Sequence, residues 1–101
     1  MTLSTHILDT TSGRPAAGVA VRLERGADVI AEAKTDGDGR IRWDFELAAG
    51  TYRLVFDTGG YLGPDAFFPE AAVSFRVVDS EAHLHVPLLL GPYTYTTYRG
   101  S

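Results

Sequence analysis

Cysteine is absent from this chain, which excludes a disulfide framework and any thiolate-held metal site and fits a reducing compartment. Positive charge is scarce as well. Nine basic side chains against thirteen acidic ones give a net charge of -4, so a nonspecific grip on nucleic acid phosphates is not expected. No stretch approaches the roughly 20 apolar residues of a membrane helix, and the opening MTLSTHILDT has neither the basic segment nor the apolar core of a secretory signal. The expectations are therefore no nucleic acid partner, no membrane and a cytoplasmic location. A nucleophile elbow and serine-triad spacing are missing too, which argues against nucleophilic catalysis.

What the chain does have is alternation. Its 101 residues suit a single domain, 1-101, with one hydrophobic core, and period-two runs bounded by Gly, Pro, Asp or Ser recur from end to end. Val19, Val21 and Leu23 oppose Arg22 and Glu24; Ile41, Trp43, Phe45 and Leu47 oppose Arg40, Arg42, Asp44 and Glu46. Tyr52, Leu54 and Phe56 repeat the pattern, as do Val73, Phe75 and Val77. The run TDGDG is a turn. Between Asp57 and Ala71 the alternation breaks, and Pro64 and Pro69 limit that segment to a short helix or loop near 58-66. About eight strands follow, near 3-9, 18-25, 28-35, 40-47, 51-57, 71-79, 83-90 and 93-98. They predict an all-β, two-sheet antiparallel sandwich.

Strand parity also places the candidate chemistry. In HLHVPLLL, Leu84, Val86 and Leu88 share one face, so His83, His85, Pro87 and Leu89 share the other. Pro87 cannot donate to a ladder, so an edge or a bulge is expected there. Histidine moves protons near neutral pH, and His6 meets His85 only if the first and penultimate strands are neighbours or if subunits bring them together. Arg40 offers a fork of donors to a carbonyl or an anion. Each of these residues taken alone reads more readily as solvated surface. A metal held by His83, His85 and His6 is the other use of the histidines, but no acidic residue stands beside the pair, and no metal is expected. The tail Tyr98-Arg99-Gly100-Ser101 follows an apolar run that would hold it against the body of the protein. It reads either as part of a site or as a strand that stops in polar residues.

Taken together, THILDTTSGRPAAGVAVRL, TDGDGRI, FFPE at 67-70 and HLHVPLLL with a terminal YRGS resemble the 5-hydroxyisourate hydrolase family, the transthyretin-related enzymes of purine catabolism. The resemblance spans the whole chain, and the YRGS ending separates the enzymes from transthyretin itself. It implies a transthyretin-like sandwich and hydrolysis of the substrate 5-hydroxyisourate without a cofactor. Catalysis by His6, Arg40 and His85 is implied, with Tyr98, Arg99, Gly100 and Ser101 binding substrate and His83 flanking. It implies further a homotetramer, a dimer of dimers with sites at the interface between dimers. One departure is Gly91, where relatives often carry serine before the proline. The alternatives are a transthyretin-like carrier of a small ligand without catalysis, and a monomeric adhesive or regulatory sandwich.

Overall fold

The alternating segments form strands that stack as two sheets, and the side chains they turn inward meet in one core. The computed structural model describes residues 1–78 and 83–101. Among these the strands are β1 (Thr2–Asp9), β2 (Arg14–Pro15), β3 (Ala20–Arg25), β4 (Asp28–Lys34), β5 (Arg40–Asp44) and β6 (Gly50–Phe56). After the helix α1 (Thr58–Leu62) come β7 (Ala71–Val77), β8 (His83–His85), β9 (Leu88–Gly91) and β10 (Thr94–Thr97). One sheet runs β4-β3-β6-β7 and is antiparallel throughout. The other is built around β1, with β5 and β2 antiparallel on one side, β8 and β9 parallel on the other, and β10 antiparallel outside β9.

The sandwich is the expected one, with two differences in its pairing. Alternation fixes which face a residue takes but not the direction of its strand, so the parallel pairs of β1 with β8 and β9 were outside its reach. The strand expected over 83-90 is divided at Val86 and Pro87, where the proline has no N–H to give. Both carbonyls at the break are taken by threonines. Buried Thr5 donates to the Val86 carbonyl at 2.6 Å, and Thr97 donates to that of Pro87 at 2.8 Å. The two-residue β2 adds the remaining strand, and the strand expected over 71-79 ends at Val77, residue 79 lying outside the described residues.

Leu3, Ile7, Leu88 and Leu90 from the first sheet and Leu23, Leu54 and Phe56 from the second are fully buried. Each such side chain contributes about 1.5–3 kcal/mol. A slip of β1 by one residue would send Leu3 and Ile7 to solvent and Ser4 and His6 into the core, so the core itself fixes the register of the outer face. The 57–70 segment is fastened separately. Asp57 caps α1 by accepting from the Gly60 N–H at 3.0 Å, Thr58 donates to the Phe68 carbonyl, and Tyr61 donates to Asp9 at 2.8 Å.

Candidate active site

The TDGDG turn carries its own scaffold. The Asp36 carboxylate accepts from the N–H groups of Asp38 and Arg40 at 2.9 and 3.0 Å, and the Gly39 N–H donates to the Asp36 carbonyl at 2.9 Å. Gly39 has φ 73°, and a Cβ there would come within 2.6 Å of the Ile7 carbonyl, so both conformation and space require glycine. Ile7 donates its N–H to the Gly39 carbonyl at 2.8 Å. The turn is thereby pinned to β1, and Arg40 enters β5 as the cross-strand partner of His6.

Register then assembles the rest. On β1 the alternation buries Leu3, Thr5 and Ile7 and leaves Thr2, Ser4 and His6 on the opposite face. β5 sets Arg42 beside Ser4 and Asp44 beside Thr2, while β8 sets His85 beside Ser4 and His83 beside Thr2. Gly100 bridges His85 and donates its N–H to the histidine carbonyl at 2.8 Å. One row across the sheet is Arg42, Ser4, His85 and Gly100, with Arg40 and His6 one step along β1. Ser4 Oγ lies 2.8 Å from His85 Nδ1, and Thr2 Oγ1 lies 2.6 Å from His83 Nδ1.

A cavity of about 490 Å³ opens on this face, lined by Ser4, Thr5, Arg40, Ile41, Arg42, His83, His85 and Ser101. His6 stands beside Arg40 rather than in the lining, yet near enough for its charge to act on His85. Tyr98 and Arg99 are placed elsewhere. They line a neighbouring depression of about 300 Å³ with Val73, Phe75, Leu84 and Val86, and Tyr98 is 56% exposed. A third depression, on the outer face of the other sheet, holds Arg22 and Glu70, which pair with one another, and none of the candidate residues.

Burial holds the His85 imidazole below the usual histidine pKa, and the charges of Arg40, His6 and His83 push the same way, against a smaller opposing pull from the Ser4 main chain. At neutral pH the ring is therefore neutral and free to take a proton. Among the described residues no group of three or more His, Asp or Glu side chains is disposed to hold a metal ion. The arrangement offers a proton acceptor and fixed guanidinium charge around a space for a small molecule. Such groups serve addition of water to a carbonyl.

Residues 3–100 match the HIUase/Transthyretin family. The chain belongs to that family. It is 48% identical to a 5-hydroxyisourate hydrolase of Salmonella dublin, over 98% of this chain and 80% of the relative. In structure it is similar to the 5-hydroxyisourate hydrolase of Klebsiella pneumoniae, with a TM-score of 0.90, 40% identity and complete coverage of both chains. It is also similar to sea bream transthyretin in complex with thyroxine, with a TM-score of 0.86 and 34% identity over 97% of this chain and 93% of that one.

Three side chains of this face, Thr2, Ser4 and Arg42, were not singled out from the sequence. The signal was present in part: TLSTHILD puts Thr2 and Ser4 on the face of His6, and RIRW puts Arg42 on the face of Arg40. Which strands lie side by side, and in what register, was the missing information.

Proposed function

We propose that the chain hydrolyses 5-hydroxyisourate to 2-oxo-4-hydroxy-4-carboxy-5-ureidoimidazoline in urate breakdown, with His6, Arg40 and His85 as the catalytic groups. The observation that carries this reading is their convergence. Residues from the first strand, the central turn and the penultimate segment meet on one face with Gly100 and Ser101, in a chain of this family. Water adds to the C6 carbonyl, the C6–N1 bond breaks, and N1 takes a proton. One imidazole accepts the proton of the attacking water while the other supplies N1, and the Arg40 guanidinium stabilises the oxyanion. The tail closes the site through Gly100 and Ser101, while Tyr98 and Arg99 stand beside it in the neighbouring depression. The reaction needs no cofactor.

The same reading makes the working form a homotetramer, a dimer of dimers whose interface encloses the cavity. Phe67, Tyr93 and Tyr98, exposed by 64%, 77% and 56% in the single chain, are apolar surface of the kind that subunits cover. A carrier of a small aromatic ligand would share this fold, but it has no use for the row of His85, Ser4 and Arg42 or for the pair His6 and Arg40. Freshly generated 5-hydroxyisourate, followed by its ultraviolet absorbance, tests the reading. Loss faster than the spontaneous rate supports it, and an unchanged rate with retention of the ligand supports the carrier.

A further inference from the structure

Ser4 engages both His85 and the residue after it. The hydroxyl Oγ lies 2.8 Å from the ring Nδ1, and the Ser4 carbonyl, which accepts the Val86 N–H at 2.9 Å, is directed at the same strand. A hydroxyl can donate or accept, whereas a carbonyl only accepts. The Ser4 carbonyl is taken by the Val86 N–H and the Ser4 hydroxyl by Nδ1, so Nε2 is the ring nitrogen left for the cavity. A base acting through Nε2 needs its lone pair there, and the neutral ring then carries its hydrogen on Nδ1, toward a hydroxyl that can accept it.

We propose that Ser4 is a positioning residue that keeps the proton of neutral His85 on Nδ1, so that Nε2 presents its lone pair to the cavity and His85 is the base. This rests on the hydrolase reading above and assigns the two imidazoles within it. The water proton goes to Nε2 as the C6–O bond forms. The electron pair of the C6–N1 bond goes to N1, which takes its proton from His6. Around His85 stand Arg40 and Arg42 from β5, His6 from β1, His83 from β8 and Ser101 from the tail. Four of the five carry or can acquire positive charge, which keeps a second proton off the resting ring. The pairing of Thr2 with His83, at 2.6 Å and one register step away, is the same device at the exposed end of β8. It supplies an internal comparison.

Nitrogen-15 NMR of the histidine rings, recorded above the pH at which they titrate, reads the tautomer directly. In the wild type His85 should carry hydrogen on Nδ1. Ser4→Ala should shift it toward the form protonated on Nε2, and Ser4→Thr should restore it, while Thr2→Val should move the His83 signals and leave those of His85. With the tautomer, kcat of Ser4→Ala should fall about tenfold to a hundredfold, a part of what general base catalysis contributes, with KM little changed. A wild-type His85 protonated on Nε2, or a Ser4→Ala ring with wild-type nitrogen shifts, would overturn the proposal. An inactive wild type whose tautomer still depends on Ser4 would instead overturn the hydrolase reading and with it the base role.

Discussion

Gly100 faces His85 across an antiparallel bridge, and a Cβ at position 100 would run into Cδ2 of the imidazole. The tail and the histidine fit together because that position has no side chain. The C-terminus is thus held by a main-chain hydrogen bond to the residue whose ring it borders, and several consequences can be measured.

Replacing Gly100 with alanine should lift the tail from His85 without disturbing the core. A displacement of about 1 Å near reacting groups lowers rates by about a hundredfold, and that loss is expected in kcat for Gly100→Ala. Deleting Arg99, Gly100 and Ser101 should abolish hydrolysis and leave the circular dichroism spectrum and the assembly, by light scattering, as in the wild type. An active truncated protein would remove the tail from the site.

His6→Ala and His85→Ala should each lower turnover by about a hundredfold to ten-thousandfold. Both side chains lie on the face of the sheet away from the buried Leu3, Ile7, Leu84 and Leu88, so urea midpoints should stay close to that of the wild type. His83→Ala should be mild, since its ring is exposed and pairs with Thr2. A loss as severe as that of His85→Ala would exchange the roles of the two histidines.

A base must be neutral to act, so kcat/KM should fall as the pH drops through the pKa of His85. Burial and the neighbouring positive charges hold that value below 6.5, which puts the acid limb of the profile below the ordinary histidine range. Arg40→Ala removes the largest of the charge contributions, favours the protonated ring and should move the limb to higher pH. Because burial is the larger cause, the limb should stop short of the ordinary value. A limb that stays in place would separate the guanidinium from the histidine.

The interruption of the strand at Pro87 makes a prediction about stability. Thr5 is 1% exposed and its hydroxyl is donated to the Val86 carbonyl, so Thr5→Val leaves a buried acceptor unmet. A loss of about 1–3 kcal/mol is expected in urea unfolding. Thr97→Val, at the exposed end of β10, should lose less, because water can replace its hydroxyl.

Much of this was legible in the residues. Alternation put His83, His85 and Arg40 on outward faces, and the buried Leu84, Val86 and Leu88 lie where parity put them. Turn chemistry located TDGDG, and Gly39 proves to be a position that only glycine fills. What alternation lacks is pairing. It treats β8 and β9 as one strand and is silent on their running parallel to β1, yet that parallel register alone brings Ser4 to His85 and Thr2 to His83. The tail divides for a similar reason: YRGS reads as one motif, whereas β10 carries Tyr98 and Arg99 past the open edge of the sandwich before Gly100 turns onto His85.

The most direct measurement compares the rate of 5-hydroxyisourate loss with wild type and with His85→Ala at equal protein concentration, against the spontaneous rate. Rapid loss with the wild type, reduced by about a hundredfold or more in the variant, is the predicted result. Equal rates for the two proteins would contradict the account.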